Sequence, residues 1–233
     1  MFPTKSYMPT VLKILEEKKP STILDAPSGN GWLKSRQTST DEIDGIDLFE
    51  EKPEGYRNFY SANLELGIPE ELPKYDAIVS CEGIEHIGNP TLFLESIFKH
   101  LENEGVLIVT TPNIWYPLAK LKYFFCGFFP SFSNLIGRMK PGAHMHIMPW
   151  SFPWLYTFLR IAKFEDVRIH EVDEKKPKHF IEKIFGIPQK FYCKSKFKKS
   201  KSEEEKNFWK MSGSPQSLYG RRLVISAIKK TSS

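Results

Sequence analysis

The run GVLIVTTPN (105–113) is apolar at four consecutive positions, Val106 to Val109. A strand with one wet face alternates apolar and polar side chains; an unbroken run fits a strand covered on both faces, as in a parallel sheet. STILDA (21–26), EIDGIDL (42–48) and YDAIVSC (75–81) are further short strands, and NFYSA (58–62) is a plausible one. EDVRIHEVD (165–173) and RRLVISAIKK (221–230) read as late strands. Between them, WLKSRQ can start a helix, and PTLFLESIFKHL (90–101) places residues 92, 93, 94, 97, 98 and 101 on one helical face. SFPWLYTFLRIAKF (151–164) also reads as a helix. Strands alternating with helices predict a doubly wound α/β sheet.

The 233 residues suit one large domain over 1–233, and 40% hydrophobic with 26% charged residues excludes disorder throughout. The first 19 residues lack the apolar stretch of a secretory signal. No window reaches the roughly 18 apolar residues of a transmembrane helix. Cys81, Cys126 and Cys193 share no metal or disulfide spacing, so a reducing cytoplasm is expected.

Two segments break the alternation. Residues 114–149 form an aromatic, proline-rich insertion, expected as a cap or lid, with Trp115, Tyr116, Tyr123, Phe124, Phe125, Phe128, Phe129 and Phe132. It is either a small hydrophobic subdomain or a surface resting on a membrane or a lipid-linked substrate. Lys120 and Lys122 beside YFFCGFF suit interfacial binding through 114–136, at the inner membrane face. Residues 174–220 form a basic insertion. From 175 to 210 there are 12 lysines against 4 glutamates, a local charge of +8 in a chain of net charge +5, so the remainder carries −3. Such a stretch is either a solvated, mobile segment or a docking surface for an anionic partner: a phosphorylated substrate, headgroups or RNA.

ILDAPSGNG (23–31) puts Asp25 at a strand end and follows it with a turn holding Gly29 and Gly31. Small residues let a backbone approach a ligand and open a helix behind it. Asp47 lies 22 residues beyond Asp25, and an acid about 20 residues on can hold a ribose diol. A tight strand-to-helix connection would also use such a turn. The Walker pattern is missing, and the third glycine position of a dinucleotide loop is Lys34.

LDAPSGNG, then GIDL, then YDAIVSCEGIEHI followed by LFLESIFKHLENEGVLIVTTPN resemble, in that order, the class I S-adenosylmethionine-dependent methyltransferases. The resemblance runs from about 21 to 173 and resumes at 221–230. It implies a Rossmann-like, seven-stranded, mainly parallel sheet with an antiparallel last strand, and S-adenosylmethionine as cofactor. By the same resemblance the cofactor-binding residues are Asp25, Ala26, Ser28, Gly29, Gly31, Asp47, Asn63, Cys81 and Glu82. Pro27 departs from the family's first glycine. Asn63 stands where many relatives have an acid, and its carbonyl can still accept from an adenine amino group. TTPN, the aromatic insertion, HMHIMPW and FEDVRIHEV together resemble a broad bacterial group associated with surface polysaccharide, lipid or small-metabolite modification. That implies O-methylation of a sugar, a lipid-linked glycan or another small polar acceptor. RNA 2′-O-methylation, a quinone precursor or N-methyl acceptor, and a catalytically silent partner subunit are the alternatives. No RNP-type motif supports nucleic acid.

CEGIEHIG (81–88) brings Glu82, Glu85 and His86 to the end of the fourth strand. Three roles compete. The side chains shape the strand-to-helix turn and contact the cofactor. Alternatively His86, with Glu85 beside it, is the general base for the acceptor proton. In the third reading Glu82, Glu85, His86 and His146 hold a divalent cation, Mg²⁺ or Mn²⁺. Glu-x-x-Glu-His resembles the metal motif of the enzymes that make the O-methyl groups of ubiquinone and of those that 2′-O-methylate small RNA 3′ ends. The latter add a histidine in a His-x-Phe-x-Trp context, loosely matched by His146, Met148 and Trp150, with His144 close by.

Overall fold

The computed structural model describes residues 4–37, 40, 42–48, 53–130, 132 and 145–230. Seven strands form one sheet: β1 (Ile23–Asp25), β2 (Ile43–Asp47), β3 (Phe59–Ser61), β4 (Tyr75–Cys81), β5 (Leu101–Pro112), β6 (Glu165–Ile169) and β7 (Arg222–Ile228). Their order is β3-β2-β1-β4-β5-β7-β6. The first five run parallel, and β7 is antiparallel to both its neighbours. This is the doubly wound, mainly parallel sheet that the sequence predicts.

Along β5 the apolar run divides between two cores. Val106 and Ile108 face one; Leu107 and Val109 face the other. A strand buried on both faces has no position for a polar side chain, which accounts for the unbroken run. Helices α1 (Met8–Lys18) and α2 (Trp32–Arg36) cover one face, with Val11, Leu15 and Leu33. Helices α3 (Pro90–His100) and α5 (Phe152–Ile161) cover the other, with Phe93, Ile97, Leu155 and Leu159. Both start on a side-chain cap followed by proline in the first turn: Asn89 accepts from Leu92 N, and Ser151 from Trp154 N.

The structure adds a helix that the sequence reading did not name, α1, and differs from that reading in two further places. β5 begins four residues early, at Leu101 opposite Tyr75, because a register shift absorbs the exposed Glu102, Asn103 and Glu104. The basic stretch is helical: α6 (Ile181–Phe185), α7 (Ile187–Lys199), α8 (Glu203–Ser212) and α9 (Pro215–Tyr219). Within it α7 packs on α8, and α8 on α5. The aromatic insertion contains α4 (Pro117–Cys126); its residues 131 and 133–144, His144 among them, lie outside the described residues.

One buried charge pins the edge of the sheet. Asp44, fully buried in β2, accepts from Arg57 Nε and Nη2 and from Tyr75 Oη, all at 2.9 Å, and from Asn58 N at 3.1 Å. Burial alone would raise its pKa, but these donors together hold it below the ordinary carboxylate value. A depressed pKa supplies stability that is present above the unfolded value of about 3.9 and is lost as pH falls through the folded value. Arg57→Ala is therefore expected to lower unfolding free energy by about 2–3 kcal/mol at pH 7. The difference from wild type should shrink in acid, as read from urea melts across pH; a constant difference would place the loss elsewhere.

Candidate active site

The loops after β1, β2 and β4 meet at the carboxyl edge of the sheet, where open α/β sheets bind ligands. Gly29 and Gly31 sit at φ +53° and +75°, backbone that side chains rarely adopt. Gly29 N donates to Asp47 Oδ2 at 2.8 Å, and Leu48 N to Asp47 Oδ1 at 2.7 Å, so the acid ending β2 is oriented by the glycine loop itself. A cavity of about 460 Å³ opens between these loops, within the range of small-ligand sites. Ser28, Gly29, Asp47, Asn63, Cys81 and Glu82 line it, and so does His86; Lys5, Tyr7 and Trp32 add to the wall.

Three of the residues expected to bind the cofactor do not line the cavity. Gly31 forms the turn into α2, where a Cβ would approach Pro53 Cβ to 2.7 Å. Asp25 and Ala26 are sealed behind the wall. Asp25 accepts from Tyr56 Oη at 2.6 Å, its Oδ1 has no partner, and burial pushes its pKa well up despite that bond. Asn63 lines the cavity, but its Oδ1 already caps a 3-10 turn, accepting from Glu65 N at 3.0 Å. A carbonyl oxygen has two lone pairs, so one is left for a ligand.

β4 ends in a strained step. Glu82 has φ 53°, the left-handed region that costs a side chain roughly 1–2 kcal/mol. Its N–H is held by Thr110, at 3.0 Å to O and 3.1 Å to Oγ1, and its Oε2 pairs with Arg222 Nε at 3.2 Å. Gly83 follows, where a Cβ would lie 2.2 Å from Pro27 Cδ. Only glycine lets this loop cross the first one. Next comes a single 3-10 turn, Ile84–His86, and Glu65 fixes its exit by accepting from Gly88 N at 2.8 and 2.9 Å.

Residues 145–150 are laced onto that turn. His86 Nδ1 donates to Met145 O at 2.8 Å. Ile147 N and Met148 N donate to Glu85 O at 2.8 and 3.0 Å, and the fully buried Trp150 donates Nε1 to Ile84 O at 3.2 Å. This seats His146 against His86, rings edge to face with centroids 4.7 Å apart.

The result is a cluster of Glu85, His86 and His146, each offering a donor atom within 4.8 Å of the others. Glu82, expected among the ligands, does not join it; its side chain turns to Arg222. A carbonyl only accepts, so the Met145 contact puts a proton on His86 Nδ1. Burial, and then His86, push the His146 pKa down to about 4, so its ring is neutral near pH 7. Glu85 is buried with Oε2 accepting from Thr111 Oγ1 at 3.0 Å; burial, and then the Glu82 charge, push its pKa up to about 8. Glu85 Oε1 and His146 Nδ1 are buried without hydrogen-bond partners. Two buried ligand atoms without hydrogen-bond partners, a neutral His146 imidazole and a His86 ring oriented by a backbone carbonyl fit a divalent cation.

Several of these residues escaped the sequence reading: Arg222, Thr110, Thr111, Tyr56 and Glu65. The threonines alone left a signal, since TTPN ends the strand expected beside YDAIVSC. Register pairs Cys81 with Thr110 and Pro112 with Arg222, which brings both to Glu82.

A raised carboxyl pKa has a defined sign. The Glu85 contribution to stability is fully present below the unfolded value of about 4.3 and is lost as pH rises through about 8. Glu85→Gln keeps the shape without the charge. In chelator it is expected to match wild type near pH 4 and to exceed it increasingly up to about pH 8, by thermal melting. A variant less stable at both ends would show that the carboxyl is ionised throughout.

The sequence profile of a family described as "Methyltransferase domain" matches residues 4–159. No curated protein matches the chain. Among solved structures, the methyltransferase domain of bacterial CtHen1 is similar over 96% of this chain and 97% of its own, with TM-score 0.54 and 17% identity. A SAM-dependent methyltransferase from Archaeoglobus fulgidus is similar over 95% and 94%, with TM-score 0.52 and 16% identity. YcgJ from Bacillus subtilis is similar over 96% and 98%, with TM-score 0.55 and 14% identity. With the profile spanning well over half its length, the chain belongs to the methyltransferase-domain family, the S-adenosylmethionine-dependent class I enzymes that its motifs resemble.

Proposed function

We propose that the chain O-methylates a hydroxyl of a sugar, a lipid-linked glycan or a similar small polar acceptor. The observation that carries this reading is the convergence of Glu85 and His146 on His86, the member of the three that lines the cavity. An alcohol is a weak nucleophile until its proton begins to leave, so a group placed to take that proton suits a hydroxyl acceptor. The cofactor supplies an electrophilic methyl group on a sulfonium centre. The chain must hold it, aim the acceptor oxygen, and take the proton.

In this reading Asp47 accepts from the ribose hydroxyls, Asn63 from the adenine amino group, and the backbone at Ser28 and Gly29 lies along the cofactor, with Cys81 and Glu82 on the opposite wall. His86 Nε2 takes the acceptor proton as the new oxygen–carbon bond forms. Alternatively, Glu85, His86 and His146 would hold Mg²⁺ or Mn²⁺, whose charge would lower the pKa of an acceptor hydroxyl. Sugars and the terminal ribose of RNA both present vicinal hydroxyls to such a centre. Labelled methyl transfer sorted into glycan, lipid and RNA fractions decides between them; label confined to amines or protein would sink the O-methyl reading.

Asp47→Ala should weaken S-adenosylmethionine binding at least about tenfold by titration calorimetry, because charge-assisted hydrogen bonds contribute roughly 1.5–3 kcal/mol. Unchanged affinity in a folded variant would remove Asp47 from the site.

His86→Ala should leave cofactor affinity intact and lower kcat by about 10²-fold or more. If a cation is held, Glu85→Gln and His146→Ala are equally damaging, and chelator abolishes turnover until Mg²⁺ or Mn²⁺ is restored. If His86 acts alone as base, chelator does nothing. Normal turnover by His86→Ala would leave CEGIEHIG as a turn that merely shapes the cleft.

A further inference from the structure

The helices α6 and α7 are built inside out. The residues they bury are Glu182, Gly186, Gln189 and Cys193, spaced four, three and four apart along one helical face. Three of the four are polar or lack a side chain. The apolar residues point outward: Phe180 is 75% exposed and Phe191 71%, and Ile181, Ile184, Phe185, Ile187 and Tyr192 are exposed as well. A globular protein normally turns such residues inward.

The inversion is fixed by hydrogen bonds. Glu182, fully buried, accepts from Arg221 Nη2 at 2.5 Å, and the Arg221 guanidinium lies 3.7 Å from the centroid of the Tyr116 ring. Gln189 Nε2 donates to Trp115 O at 2.8 Å. These contacts lock the polar stripe against the root of α4, which packs on α6. Phe124 and Phe125 in the far half of α4 are 80% and 76% exposed, so α4, α6 and α7, packed α4 on α6 and α6 on α7, all carry exposed apolar side chains on their outer surface.

Lysines border that surface. Lys183, Lys190 and Lys194 follow one another at helical spacing. The ammonium groups of Lys183 and Lys196 lie 5.7 and 5.6 Å from the ring centroids of Phe180 and Tyr192. Apolar rings with ammonium groups at their edges are the pattern of a helix lying in a bilayer interface, rings among the acyl chains and lysines at anionic headgroups. No helix among the described residues is long and apolar enough to cross a membrane. A second copy of the chain is a poorer occupant, because an isologous contact would set the lysine rows against each other. RNA is poorer too, because the exposed Ile181, Ile184 and Ile187 add apolar area on which bases do not stack.

We propose that the outer face of α4, α6 and α7 docks on an anionic phospholipid surface. This goes beyond the choice of acceptor and does not depend on it. The test uses the full chain and sucrose-loaded vesicles of phosphatidylcholine, with and without phosphatidylglycerol. Sedimentation should favour the anionic vesicles at least about tenfold and weaken as salt rises. The double variants F180S/F191S and K190E/K194E change exposed side chains, so melting temperature should hold while vesicle binding falls at least about tenfold. Wild type that ignores both vesicles would overturn the proposal. So would undiminished binding by both variants, a dimer that F180S/F191S abolishes without any vesicle binding, or lysine-dependent binding to single-stranded RNA alone.

Discussion

Every feature of the cavity depends on the level register of the parallel strands β1, β4 and β5. Asp25 stands beside Val79, and Cys81 beside Thr110, so successive strands finish close to the same edge. That register is held by side chains clamped on both faces, since a slip by one residue would exchange the two cores. The loops that follow reach the core through Ala26, Ile84 and Ile87. Their order comes from the strand ends, from backbone hydrogen bonds such as Ser28 N to Ile46 O at 2.9 Å, and from Asp47.

The acids at this edge are handled in different ways. Asp44, deep in β2, keeps its charge because Arg57 and Tyr75 surround it. Asp25 has only Tyr56, and burial favours its neutral form. Burial raises the pKa of both Glu82 and Glu85; the Arg222 pairing opposes the rise at Glu82, and the Glu82 charge adds to it at Glu85. An enclosed carboxyl without a cation beside it is costly as a purely structural element and common at functional sites, where pKa values are pushed apart.

The strands were legible because burial on two faces writes itself as an unbroken apolar run, and the helices α3 and α5 because burial on one face writes itself as a stripe. Helices α6 and α7 were not, because their apolar residues face outward and leave no stripe aimed at a core. In the site, the spacing of His146 from Trp150 was a usable signal, since the buried indole fixes where the histidine falls. Spacing alone could not show that Glu82 leaves its neighbours, because a left-handed residue reverses the direction of the chain. Nor could it supply Arg222, which reaches Glu82 only through the antiparallel pairing of β7 with β5.

The crossing of Pro27 and Gly83 ties together two stretches of chain that otherwise have separate tasks. A Cβ on Gly83 would meet the proline ring at 2.2 Å, so there is no slack between the glycine loop and the turn that carries Glu85 and His86. A ligand that pushes on one loop pushes on the other, and coupling of that kind works in both directions. It also makes sequence drift conditional. While residue 27 is proline, position 83 cannot acquire a side chain without parting the loops, and the two positions are free to change only as a pair.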